Sequence, residues 1–250
     1  MKLVRFMYRG TPRYGRLNEG QIELLNGSPF TDVEPSGVSM KAERVELLAP
    51  VEPSKVIGVG LNYRNHAAEL GMEIPTEPLL FLKPPSAVVG PGESIVYPGA
   101  SKQVDFEAEL AVVIGKTAGR VTAARASEYI LGYTCANDVT ARDLQKRDGQ
   151  WTRSKSFDTF CPLGPHIETD LKPMGLTVRL KVNGELKQDS STAQMIYDVF
   201  ELVSFASQIM TLLPGDVLLT GTPPGVGPVK VGDLVEVEIE GIGSLLNKVT

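Results

Sequence analysis

The sequence predicts a predominantly β, mixed α+β fold, and three observations carry that reading. Its 250 residues include 25 glycines and 18 prolines, so turns are frequent and the segments between them short. Most of those segments are short apolar runs of strand character, and they outnumber the helical ones. Only Asp198 to Leu213 repeats apolar residues at helical spacing for several turns, through Val199, Leu202, Val203, Ala206, Met210 and Leu213.

Residues 2–25 read as short strands broken at Gly10-Thr11-Pro12 and Asn18-Glu19-Gly20, and Asn26-Gly27 signals a tight turn. A Pro-punctuated linker, Ala49 to Ser54, divides a small β-rich N-terminal domain (1–48) from a main domain (49–250). The main domain opens with a buried strand, Lys55 to Gly60. A polar stretch, Asn62 to Glu77, follows with a short helix near Asn65 to Leu70, and then a strand, Leu79 to Leu82. Phe106 to Ile114 reads as one strand. Thr122 is placed to cap a helix over Ala123 to Leu131 with Gly132 as its stop. Tyr133 to Val139 returns as a strand, and Ala141 to Arg147 starts a helix. Leu176 to Val182 enters a hairpin at Asn183-Gly184, and strands Val217 to Thr220 and Leu234 to Glu240 close the chain.

Composition narrows the function. Hydrophobic residues at 42% and charged residues at 22% fit a packed globular chain. A net charge of -5 argues against a nucleic-acid partner, which needs clustered Lys and Arg. No apolar run is long enough to span a bilayer, and MKLVRFMYRG is not a signal peptide, so no membrane role and a cytoplasmic location are expected. Cys135 and Cys161 lack a CxxC spacing and read as reduced, buried residues. His166 reads as structural, and two histidines exclude a His-rich zinc site. There is no phosphate-binding loop around Gly115-Lys116-Thr117 and no GxSxG nucleophile elbow.

The chemistry concentrates in Asp105-Phe106-Glu107-Ala108-Glu109-Leu110. On a strand, Glu107 and Glu109 share one face about 7 Å apart. Two carboxylates there, beside the apolar run Ala111 to Ile114, repel each other unless a positive group lies between them, and a hard divalent cation suits that place. A solvated glutamate face explains the same spacing. Glu236, Glu238 and Glu240 alternate just as well and read as the exposed face of an edge strand. Asp138, at a strand end, is a third candidate ligand, or the N-cap of the helix after it.

Taken together, VGLNYRNHAAE, DFEAELAVVIG, GYTCANDVTARDLQ, SKSFDTFCPLGP and LLPGDVLLTGTPPGVGP resemble the fumarylacetoacetate hydrolase family over roughly residues 50–245. The resemblance implies a β-roll of mixed sheets with few helices and one Mg2+ (or Mn2+ or Ca2+) held by Glu107, Glu109 and Asp138. It implies that His66 and Glu69 form a catalytic dyad on a lid and that Lys155 is the active-site lysine. It places Arg142, Gln145, Gly221 and Thr222 against the substrate. Their spacing from Asp138 puts Arg142 and Gln145 one and two helical turns on, on the metal's side; a solvated helix face is the alternative. Lys83 fits the family pattern without a defined role. A homodimer is usual in the family.

Such enzymes act on 2-oxo acids through an enolate that a chelated cation stabilises. The leading expectation is C–C hydrolysis of an acylpyruvate, with His66 and Glu69 activating water. Decarboxylation of a 2-oxo diacid, or isomerisation of a 2-hydroxyhepta-2,4-diene-1,7-dioate in aromatic catabolism, needs the same cation and no water. A silent protein that binds small carboxylates through a structural cation is the reading from another class.

Overall fold

The computed structural model describes residues 1–31 and 33–250. It is mostly strand, as the turn density predicts, with the mixed sheets and few helices that the resemblance implies. The largest sheet runs from the N-terminal strands into the main body. Its N-terminal half holds β1 (Lys2–Tyr8), β2 (Thr11–Asn18), β3 (Gln21–Leu25) and β4 (Pro35–Lys41). Strands β5 (Val56–Gly60) and β6 (Leu79–Lys83) form its far edge. The strip Val104–Phe106 is β7 and Ala108–Ile114 is β8. Next come β9 (Ile130–Asn137) and β10 (Cys161–Glu168). The remaining strands of three or more residues are β11 (Thr177–Val182), β12 (Glu185–Ser191), β13 (Val217–Leu219), β14 (Leu234–Ile239) and β15 (Gly243–Val249). The large sheet is ordered β4-β3-β2-β1-β10-β9-β8-β13-β5-β6, and a second sheet contains β12-β11-β14-β15.

The helices are few. They are α1 (Arg64–Leu70), α2 (Arg142–Asp148), α3 (Thr152–Lys155) and α4 (Val199–Ile209). Asp198 caps α4 in a capping box with Glu201, and Val199, Leu202, Val203 and Ala206 are buried. The helix ends at Ile209, however, so Met210 and Leu213, expected on the same face, lie beyond it, and Leu213 is exposed. The main core lies between the two sheets. There Leu110, Val112 and Ile114 of β8 meet Val178 and Leu180 of β11 and Val235 and Val237 of β14.

Five further local expectations need correction. Asn26-Gly27 bends the chain without closing a two-residue hairpin, because β4 pairs back only from Leu25↔Pro35. Residues Ala123–Tyr129 form a 3-10 helix that Thr122 does not cap with its side chain, and Gly132 lies inside β9. Packing explains that glycine: a Cβ there would sit 2.4 Å from the Glu168 carbonyl oxygen. The strand from Phe106 to Ile114 is interrupted at Glu107. The chain ends in a further strand, β15, beyond Glu240. Consequently β14 is an inner strand, flanked by β11 and β15, and Glu238 and Glu236 meet Lys181 of β11 at 3.1 and 3.7 Å on the sheet's outer face. Among the described residues, no helix is long and apolar enough to cross a membrane.

Candidate active site

The break at Glu107 builds the centre of the site. There the chain leaves the small β7 sheet for β8, and the Glu107 N–H donates to Asn137 Oδ1 at 2.9 Å rather than to a strand partner. Strands β8 and β9 pair antiparallel with Ala108 opposite Asn137, and the Asp138 N–H donates to the Glu107 carbonyl at 2.9 Å. Asp138, 31 positions after Glu107 in sequence, thus lies beside the glutamates. One oxygen from each of Glu107, Glu109 and Asp138 lies within 4.8 Å of the others, and all three side chains are buried.

Three cations surround these acids. Lys155 Nζ donates to Glu107 Oε2 at 2.8 Å and to Asp138 Oδ2 at 2.6 Å. Lys83 donates to Asp138 Oδ1 and, at 3.1 Å, to the Val139 carbonyl. Arg142 donates to Asp105 at 2.8 Å, to Gln145 at 2.6 Å and to Glu107 Oε1. With Asp105 counted, four carboxylates face three cations, so the centre carries one negative charge in excess.

That excess falls on Glu109. Burial, then repulsion from Asp138 and Glu107, pushes its carboxyl well above the usual range. Burial also works against a charge on Glu107, but Lys155 and Arg142 outweigh it and hold this carboxyl down at about 2. Two neighbouring glutamates are therefore driven apart because the protein's own cations hydrogen-bond only one of them. A hard divalent cation fits this donor set: it takes oxygen ligands and supplies the positive charge that Glu109 lacks.

The site opens into a cavity of about 320 Å³ whose wall includes His66, Glu107, Glu109, Asp138, Arg142, Gln145, Lys155 and Thr222. Apolar groups make up much of the rest: Val59 of β5, Phe81 of β6, Leu70 of α1, Met72 just after it, and Trp151 just before α3. His66 and Glu69 lie on one face of α1, three residues apart, with Nδ1 2.8 Å from Oε2. The second Glu69 oxygen accepts the Gly225 N–H at 3.1 Å, which ties α1 to the loop after β13.

Most candidate residues thus converge on one cavity, with two differences from the sequence reading. Asp138 precedes a two-residue strand rather than a helix, so counting helical turns does not explain where Arg142 and Gln145 lie. Arg142 starts α2 and reaches back to Asp105 and Glu107; Gln145 follows it one turn on. The Gly221 N–H, expected against the substrate, donates instead to Glu109 Oε2 at 2.6 Å.

Sequence reasoning also missed the supports. Asn62 is wholly buried: its amide donates to the Thr220 and Tyr197 carbonyls at 2.8 and 3.0 Å and accepts from the Tyr197 N–H at 2.9 Å. Gln188 braces the glutamate strand to the loop carrying Thr222. It accepts the Ala108 N–H at 2.9 Å and donates to Thr222 Oγ1 at 2.9 Å and the Pro223 carbonyl at 2.8 Å.

Residues 55–250 match the family described as fumarylacetoacetate (FAA) hydrolase, C-terminal, and residues 1–50 match one described as Rv2993c-like, N-terminal. The chain belongs to the fumarylacetoacetate hydrolase family. The mitochondrial oxaloacetate tautomerase Fahd2a of Rattus norvegicus is 49% identical over 218 residues, covering 82% of this chain and 70% of that protein. The crystal structure of a 2-hydroxyhepta-2,4-diene-1,7-dioate isomerase from Mycobacterium marinum matches with a TM-score of 0.94 and 46% identity, over 100% of this chain and 98% of that one. A maleylpyruvate hydrolase from Sphingobium sp., solved with manganese(II) and pyruvate, matches with a TM-score of 0.84 and 30% identity, over 100% of this chain and 99% of that one. The names of these relatives cover a tautomerase, an isomerase and a hydrolase.

Proposed function

We propose that this protein is a divalent-cation-dependent enzyme that interconverts the keto and enol forms of a 2-oxo acid. The observation that carries this reading is the opening of the three buried carboxylates and the His66–Glu69 dyad onto one cavity. Glu107, Glu109 and Asp138 would hold the cation, with Mg2+ and Mn2+ as the ions best suited to so compact a set. When bound, it supplies Lewis acidity at the 2-oxo oxygen, where negative charge grows as the enolate forms.

The chain's own residues do the rest. Lys155 supplies the ammonium for the substrate carboxylate. Arg142 has N–H groups to spare beyond its three bonds, and with Gln145 and the Thr222 hydroxyl it can hold the remaining oxygens of the substrate. Glu69 fixes His66 through Nδ1, which leaves Nε2 to move a proton to or from carbon 3. The apolar wall of Phe81, Trp151 and Met72 keeps water from competing for that proton.

Proton transfer without water is put first because the tautomerase and the isomerase are both more similar to this chain than the hydrolase is. Hydrolysis of an acylpyruvate, with His66 activating water, is the second reading, favoured by the relative that holds manganese and pyruvate. Two assays with Mg2+ separate them. Loss of the enol absorbance of oxaloacetate, faster than its spontaneous decay and abolished by a chelator, supports the first. Release of pyruvate from acetylpyruvate supports the second. Neither activity with Mg2+ or Mn2+ would overturn both.

A further inference from the structure

We propose that Lys155 is a built-in substitute for the divalent cation, so that the cation must bind first and thereby releases the lysine to take the substrate carboxylate. This inference rests on the metal and substrate reading given above. It comes from the donors to the six oxygens of Glu107, Glu109 and Asp138. Each carboxylate has one oxygen held by a donor that has no room to leave. Arg142, itself fastened to Asp105 and Gln145, holds Glu107 Oε1. Lys83, buried and also bonded to the Val139 carbonyl, holds Asp138 Oδ1. The backbone N–H of Gly221 holds Glu109 Oε2.

The other three oxygens are Glu107 Oε2, Asp138 Oδ2 and Glu109 Oε1. Lys155 alone serves the first two, at 2.8 and 2.6 Å, and among the described residues no donor reaches the third. The outer donors thus decide which oxygens face a cation, and the Lys155 ammonium already stands between two of them. A divalent ion needs those oxygens at about 2.0–2.6 Å, and a second positive charge at the same point is repelled, so ion and ammonium exclude each other.

The displaced ammonium has somewhere to go. Lys155 lines the cavity and lies 4.8 Å from the centroid of the Phe81 ring, another wall residue. A buried ammonium that has lost both carboxylates is costly until it meets a new anion. The substrate carboxylate is that anion. Cation and carboxylate therefore bind with positive coupling, each strengthening the other.

Calorimetry with Mg2+ and with oxalate tests the scheme on the parent protein and on Lys155→Met. The parent is expected to bind oxalate at least tenfold more tightly with Mg2+ than without it. Lys155→Met is expected to bind Mg2+ at least tenfold more tightly than the parent and to lose most of the oxalate affinity. Equal or weaker Mg2+ binding by Lys155→Met overturns the exchange. Because that variant removes a buried charge and could fail to fold, the parent supplies a second readout. Mass spectrometry after brief treatment with a small acylating reagent is expected to show Lys155 modified several-fold faster with Mg2+, and protected again by oxalate. A rate unchanged by Mg2+ that the same calorimetry shows to be bound overturns the inference alone. Absence of Mg2+ and Mn2+ binding to the parent overturns the metal reading as well.

Discussion

A lysine that the sequence left without a role, Lys83, is one of the largest wholly buried side chains in the protein. Its charge is tolerated only because Asp138 and the Val139 carbonyl receive it. Replacing it by Met leaves Asp138 a single partner, and loss of one member of a buried pair costs about 3 kcal/mol. Urea denaturation of cation-free Lys83→Met should show a loss of that order; a change within about 0.5 kcal/mol would mean that Asp138 does not need this lysine. The pairing of His66 with Glu69 was easier to read, since residues three apart on a helix share a face, though its catalytic role came from the family resemblance. Glu69→Gln keeps the shape and removes the charge that steadies His66. Its kcat should fall about 100-fold, the low end of acid–base contributions, while oxalate affinity in Mg2+ holds. An unchanged kcat would mean that the reaction does not need the Glu69 charge beside His66. Asn62 and Gln188 escaped notice for the opposite reason: their partners lie 34 to 158 positions away, and nothing local distinguishes them from surface amides.

Among the elements, alternation along Asp105 to Leu110 was legible, but the break at Glu107 was not. The break comes from a change of sheet, which only the pairing of β7 and β8 with different neighbours reveals. The same alternation in β14 yields an outward-facing row of glutamates, so the period of 2 finds the face and not its surroundings. The helix expected over Ala123 to Leu131 forms as a 3-10 helix that ends at Tyr129, and Gly132, taken as its stop, is a close-packing glycine within β9. The loop after β13 has the reverse character. Gly221 needs its positive φ of 92°, and a Cβ there would lie 2.8 Å from the Asn62 Cβ. Gly221→Ala should destabilise the fold by about 2 kcal/mol through that conformation and contact. It should also weaken Mg2+ binding, because a loop displaced by that contact carries the residue 221 N–H away from the Glu109 oxygen. A variant with parental stability and Mg2+ affinity would show that the loop adapts freely.

At the scale of the whole molecule, the N-terminal strands join the main body through one seam, where β1 pairs with β10 at Lys2↔Glu168 and Leu3↔Ile167. The linker in the sequence marked a division there; that the large sheet runs on through it could not be read locally. Titratable groups line the seam. Burial, with Lys2 adding repulsion, lowers the His166 pKa from 6.5 to about 4. Burial opposes the charge on Glu168, but its hydrogen bond from the N-terminal ammonium, at 2.7 Å, outweighs that and lowers its pKa too. Both shifts act in one direction. Glu168 stabilises the fold above its ordinary pKa, and that contribution goes as pH falls through its folded value. A histidine harder to protonate when folded leaves stability complete above pH 6.5. Below that the unfolded chain takes up a proton that the folded chain refuses until about pH 4. For a shift of this size the His166 share lost between pH 7 and 4.5 is about 2 kcal/mol. His166→Gln removes that share and leaves the other acid-sensitive groups in place. Urea denaturation at pH 7 and 4.5 should therefore show the parent losing about 2 kcal/mol more than the variant. Equal losses would mean that His166 accepts its proton in the folded seam, and that acid sensitivity arises elsewhere in the molecule.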